Sequence, residues 1–167
     1  MHYQQKRPIL DLMSQTLARK REGWARAAMN LAHTIKNSRS EDPYVQVGAC
    51  ILRWDYSVAS LGYNGPPPNV EIDWSDRDAR RPKVIHAEKN AFRYVAPKEC
   101  KLLACTLLPC SDCMTEIAAY RIPIVVYQDI YHRDPLALSL AKEFNINLFH
   151  IDDPNLEKFI SEFQNPY

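Results

Sequence analysis

A histidine and a glutamate stand two apart in "VIHAEKNAF" (84–92), and two cysteines stand three apart in "TLLPCSDCM" (106–114). His86, Cys110 and Cys113 make a set of three ligands of the kind that Zn2+ takes. Cys110 and Cys113, at i and i+3, fall on one face of a helix start, and Pro109 suits a helix entry because its missing N–H needs no partner there. The positive end of a helix favours thiolate over thiol, which again suits a metal. A tetrahedral zinc with three protein ligands keeps one position for water and lowers the pKa of that water to about 7, as in catalytic rather than structural sites. Glu88 is badly placed as a fourth ligand on the same turn. It is well placed to accept the water's proton and return it to a leaving group. That is the chemistry of hydrolytic deamination.

Neither half of the constellation is specific alone, since H-A-E opens ordinary helices and C-x-x-C also serves redox sites. A thioredoxin-like site needs no histidine and follows a βαβ start. A structural zinc finger needs a second pair such as H-x₃₋₅-H, and His2, His33, His132 and His150 are not so paired. Read together, His86, Glu88, Pro109, Cys110 and Cys113 fill H-x-E…P-C-x-x-C, the established signature of zinc deaminases of nucleobases.

The elements that must bring these residues together follow from periodicity. Trp24, Ala28, Leu31, Ala32 and Ile35 recur at helical spacing, which predicts a long helix over 22–36, preceded by a separate helical segment near 8–20. "VQVGACIL" (45–52) and "SVASLGY" (57–63) read as strands of a hairpin turning around Asp55. Residues 64–83, with Gly65 and four prolines, read as a long loop, and long loops inside compact domains tend to be functional or disordered. Helix 87–95, strand 101–107, helix 111–120, strand 122–127, helix 135–144, strand 146–151 and a short terminal helix complete an α/β order. The interval 128–145 is too long for a hairpin and contains the helical run "LALSLAKEF", so strands 4 and 5 run parallel.

Composition bounds the function. The 167 residues fit one domain, with segment 1–21 peripheral to it, and 46% hydrophobic against 25% charged residues allow a sizeable core. A net charge of +1, from 21 basic and 20 acidic residues, leaves no global footprint for a polynucleotide. No apolar run reaches a membrane span, and the N-terminus lacks the apolar stretch of a secretory signal. Asp11 and Glu22 interrupt the basic residues between Lys6 and Arg26, which argues against a transit peptide. Five cysteines, an odd number in a chain large enough to fold without staples, fit reduced thiols in the cytoplasm. Cys50, Cys100 and Cys105 lie in or beside apolar strands and read as core.

The chain resembles the cytidine deaminase-like superfamily, and within it the deoxycytidylate (dCMP) deaminases. "SRSEDPYVQVGACIL", "GYNGPP", "HAEKNA", "LLPCSDC" and "YHRD" occur in that family's order across residues 38–134. The resemblance implies a cytidine deaminase-like α/β fold, a five-stranded mixed sheet flanked by helices with strands 4 and 5 parallel. It implies zinc on His86, Cys110 and Cys113, Glu88 as proton shuttle, and conversion of dCMP to dUMP and ammonia. It puts Asn64 against the sugar, Ala49 and Ala87 along the base pocket, and Tyr131 against the base. A nucleotide phosphate needs cations, and Arg39, Arg77, Arg80, Arg81 and Lys83 are the candidates, arginine forks suiting phosphate oxygens. A homo-oligomer, hexamer or dimer, is also implied; the helical spacing of Leu10, Met13 and Leu17 gives segment 8–20 an apolar face that serves either as a subunit contact or as packing on its own domain.

The plain alternatives are an Asn64 that serves only a Gly-flanked turn, where asparagine tolerates positive φ, a Tyr131 that packs at the rim, and a charged loop that is merely solvated. The chain also departs from the family: after "GYNGP" it continues "PPNVEIDW", without the glycine and cysteine linked to nucleoside triphosphate regulation. Control by dCTP and dTTP is therefore in question. Two other functions fit the same signature. One is a base deaminase acting on RNA or DNA; the other is a catalytically silent deaminase-fold binding protein, against which the intact Glu88 argues.

Overall fold

The computed structural model describes residues 21–130 and 134–167. The long helix α1 (Trp24–Arg39) leads into the hairpin β1 (Gly48–Arg53) and β2 (Val58–Tyr63). A short helix α2 (Arg77–Arg80) and a 3₁₀ turn (Arg81–Lys83) precede α3 (Ala87–Phe92). Then come β3 (Cys100–Leu107), α4 (Ser111–Ala119), β4 (Ile124–Asp129), α5 (Pro135–Glu143), β5 (Asn147–His150) and α6 (Leu156–Glu162). The five strands form one mixed sheet in the order β2-β1-β3-β4-β5. β1 is antiparallel to β2 and β3, whereas β3, β4 and β5 run parallel, so the crossover argument for strands 4 and 5 holds.

Period-2 alternation gives the sheet two apolar faces, each covered by helices. On one face Ala49, Ile51, Leu103, Cys105 and Val125 meet Ala87, Ala91 and Phe92 of α3, Met114 and Ile117 of α4, and Ala137 and Ala141 of α5. On the other, Cys50, Leu52, Leu102, Ala104 and Val126 meet Ala25, Ala28, Met29 and Ala32 of α1 and Leu156 and Ile160 of α6. The side of α1 that is buried is thus rotated from the expected stripe: Trp24 is 49% exposed and Leu31 36%. Trp24 instead stacks on Tyr56 of the hairpin turn, rings parallel with centroids 4.9 Å apart. Cys50, Cys100 and Cys105 are all buried core thiols, and burial pushes the first two up to about 12.

Two stretches differ from the sequence expectation. The interval 64–83 is not wholly loop: Asp76 caps α2 by accepting from the N–H groups of Asp78 and Ala79. Helix α3 ends at Phe92 rather than 95, with Lys98 in the left-handed region at φ 71° before β3. The other boundaries differ by one to three residues, as helix and strand ends commonly do.

Candidate active site

β3 delivers Cys110 from the C-terminal end of the sheet, where ligand sites in α/β sheets lie. Cys110 is itself the N-cap of α4, with extended backbone (φ −73°, ψ 171°), and Cys113 sits in the first turn. Pro109 therefore lies one residue ahead of the cap rather than in the first helical position. His86 is likewise the N-cap of α3, and Glu88 lies in that helix's first turn. Two helix starts from either side of β3 thus face each other across the sheet end.

The His86 Nδ1 atom is 3.5 Å from the Cys110 Sγ and 3.5 Å from the Cys113 Sγ. One ligand atom from each of the three residues lies within 4.8 Å of the others, the one such group of three or more among the described residues. With Zn–S of about 2.3 Å and Zn–N of about 2.0–2.1 Å, neighbouring ligand atoms of a tetrahedral site lie roughly 3.5 Å apart. Spacing and donor chemistry both fit zinc. Among the protein groups themselves, the Cys110 thiol is pushed down to about 4, chiefly by a hydrogen bond from Cys113, with the His86 ring adding to it and burial opposing. Cys113, the donor in that pair, is raised. His86 is raised by its hydrogen bond to Cys110, against burial.

Glu88 is 4% exposed, with the Cys105 thiol of β3 in hydrogen-bonding contact with its carboxyl. Burial raises its carboxyl above the ordinary value, with its own backbone N–H and the His86 charge pulling the other way. A carboxyl so placed holds a proton more readily than an exposed one, which suits a group that must take and return it.

Helix α3 has six residues and no side-chain cap, too little to hold its own position. The segment Gly62–Gly65 supplies the anchorage. A Cβ on Gly62 would collide with the Ala87 carbonyl oxygen and the Ala91 N–H, so glycine lets the helix lie directly on β2. The Asn90 side chain donates to the Tyr63 carbonyl at 2.6 Å. Gly65 and Ile85 exchange hydrogen bonds of 3.1 and 2.8 Å, which fixes the chain one residue before His86.

Asn64, expected at a turn with positive φ, is not among the positive-φ residues. Its side chain is buried and ties the 40–47 segment to the end of β2: Oδ1 accepts from the Val47 N–H at 2.8 Å and the Ser40 hydroxyl at 2.7 Å, and Nδ2 donates to the Val45 carbonyl at 2.7 Å. Ala49 is buried in β1 opposite Cys105, and Ala87 opens α3 beside His86. Arg39 ends α1 with its guanidinium 5.8 Å from the centre of the Tyr63 ring, adjacent to Asn64. Arg80 donates to the Trp74 carbonyl and lies 4.1 Å over the Tyr44 ring, so its fork is engaged by the loop itself. Arg81 is exposed on the 3₁₀ turn. Tyr131 lies outside the described residues, as does the segment 8–20. Sequence reasoning did not single out Ser40, Asn90 or Gly62. Only the glycine left a signal, in the "GYNG" run.

Comparison with known proteins agrees with this geometry. Residues 22–129 match the family model described as the cytidine and deoxycytidylate deaminase zinc-binding region. The chain is 30% identical over 168 residues to a deoxycytidylate deaminase of Homo sapiens, covering 90% of this chain and 93% of the relative. It is 33% identical over 135 residues to a deoxycytidylate deaminase of Mus musculus, covering 72% and 75%. Among solved structures it is similar to the dCMP deaminase of cyanophage S-TIM5 in complex with dCMP and dUMP, with 25% identity and a TM-score of 0.65 over 75% of this chain and 94% of that one. The paired helix starts, the zinc-compatible triad and the match across most of the chain have one reading: this chain belongs to the cytidine and deoxycytidylate deaminase family, with its zinc-binding region.

Proposed function

We propose that this chain is a zinc-dependent deoxycytidylate deaminase, a hydrolase that converts dCMP to dUMP and ammonia, with His86, Cys110 and Cys113 holding the metal. The observation that carries the reading is the buried Glu88 carboxyl two residues from a triad whose spacing matches tetrahedral zinc. When bound, zinc supplies a water acidified to near neutrality as nucleophile. Glu88 would take one proton from the attacking water and pass it to the ring nitrogen of the base, then take the second from the added hydroxyl and pass it to the departing amine, and its burial keeps bulk water from competing for either proton. The backbone around Ala87 and Ala49 flanks the base. Asn64 holds the pocket's rim in place, and its Nδ2, which gives one N–H to the Val45 carbonyl, has a second N–H for the sugar. Arg39 and Arg81 are the better phosphate candidates, because Arg80 is already committed to Trp74 and Tyr44. Tyr131 completes the proposed substrate contacts.

The same reading makes the chain a single deaminase domain that works as a homo-oligomer on a free nucleotide rather than on a polynucleotide. Five free thiols support a cytoplasmic setting, and among the described residues no helix is long and apolar enough to cross a membrane. Glu88→Gln tests the reading, since it keeps size and hydrogen bonding but cannot cycle a proton. We expect retained zinc and fold with turnover of dCMP lowered by about 10²–10⁴-fold. Near-normal turnover would assign the proton to another residue.

A further inference from the structure

The start of α4 carries both cysteines, yet the side chain of Cys110, the N-cap, caps none of the helix's backbone N–H groups. The first N–H groups of a helix need partners from outside it. Ser111, the first helical residue, gives its N–H to Asp134 Oδ2 at 3.1 Å. Asp134 is also the N-cap of α5, where its other oxygen, Oδ1, accepts from Leu136 N–H at 3.1 Å and Ala137 N–H at 3.2 Å. One carboxylate thus closes two helix starts, one oxygen to each. A second tie lies on the other side of Cys110, where the Leu108 N–H donates to the Asp129 carbonyl at 2.8 Å. α5 in turn is rooted in the core through Ala137 and Ala141.

Resting on the zinc deaminase reading, we propose that Asp134 is a positioning residue for the cysteine ligands, tethering the first turn of α4 to the core-anchored start of α5. At this helix start the Ser111 N–H is served by the Asp134 carboxylate rather than by the N-cap side chain. With the tether removed, the uncapped first turn loosens, and the Cys110–Cys113 pair no longer meets His86 at tetrahedral spacing. The Asp134 carboxyl is held below its ordinary value first by the Ser111 backbone N–H, with desolvation opposing, as expected of a carboxylate that serves as a cap.

Two substitutions isolate the tether. Asp134→Ala removes both caps. Ser111→Pro removes only the donor to Asp134: proline is well accepted at a first helical position, and Cys110 already has the extended backbone that precedes proline. It leaves Asp134 capping α5. The readouts are zinc affinity, by competition of the zinc-loaded protein with a chromophoric chelator, the d–d bands of the cobalt-substituted protein, and thermal unfolding. Each variant is expected to bind zinc about 10–100-fold more weakly and to shift the cobalt bands, as loss of an outer-shell partner does. The double variant should be no weaker than Asp134→Ala, because both changes break one interaction. Wild-type affinity and cobalt bands in Ser111→Pro and Asp134→Ala would overturn the inference, as would losses that add in the double variant or that merely follow the unfolded fraction. A wild-type protein that takes no zinc would instead overturn the zinc deaminase reading beneath it.

Discussion

At the scale of single residues, the site works by division of labour between groups that differ in exposure. His86 is exposed enough to meet solvent at its edge, Cys113 is buried, and Cys110 lies between. Glu88 is enclosed on the core side. Removing one ligand should therefore abolish the metal without unfolding the sheet, since none of the three side chains carries a large share of the apolar core. Cys110→Ala is expected to leave far-UV circular dichroism unchanged and to reduce zinc from about one per chain to a small fraction; metal analysis of freshly purified protein decides it, and full occupancy would remove Cys110 from the ligand set. These ligands were legible in the sequence because coordination demands particular residue types at particular spacing. Asn64, Asn90 and Asp134 act through backbone N–H and carbonyl groups instead. Such bonds impose no periodic pattern, so the sequence assigns Asn64 a role only by analogy, and Asn90 and Asp134 stand in "HAEKNA" and "YHRD" without one.

At the scale of elements, the site depends on how closely α3 can approach the sheet. Gly62 permits contact between the Ala87–Ala91 backbone and β2, and Asn90 and Gly65 lock the register of that contact. Gly62→Ala must push α3 outward or bend β2, so it is expected to cost about 1–3 kcal/mol of stability, as overpacking does. It should also lower dCMP turnover, because His86 and Glu88 ride on the displaced helix. Denaturant unfolding and steady-state kinetics on the same preparation check both effects, and an unchanged pair of values would mean that the sheet yields without moving the helix. The opposite end of the molecule uses a comparable economy. Gly23, the N-cap of α1, has no side chain to offer, and Glu157 of α6 accepts from the Ala25 and Arg26 N–H groups at 3.4 and 3.2 Å. The strand and helix order was legible from periodicity, including the parallel pairing of β4 with β5. The buried side of α1 was not: its small residues Ala25, Ala28 and Ala32 give a weak apolar signal beside Trp24 and Leu31, although close packing on the sheet favours the small ones.

At the scale of the whole molecule, the sheet gathers both metal-binding helix starts at one end, while the α1 C-terminus sets Arg39 over Tyr63 and the 64–83 interval holds Arg80 over Tyr44. We propose that subunit contacts complete this arrangement in a homo-oligomer. Light scattering should therefore give a mass well above the 19.3 kDa of one chain; a fully active monomer would remove the assembly claim and leave the chemistry untouched. The central claim concerns substrate and reaction together, and one assay addresses both. Zinc-loaded protein is offered dCMP, deoxycytidine and a cytosine-containing oligonucleotide, and release of ammonia is followed against formation of the uracil product. The account expects one ammonia per dUMP, with kcat/KM for dCMP well above that for deoxycytidine, because a phosphate clamp adds binding energy remote from the reacting carbon. Deamination of the oligonucleotide alone, or no turnover of dCMP by fully zinc-loaded protein, would contradict it.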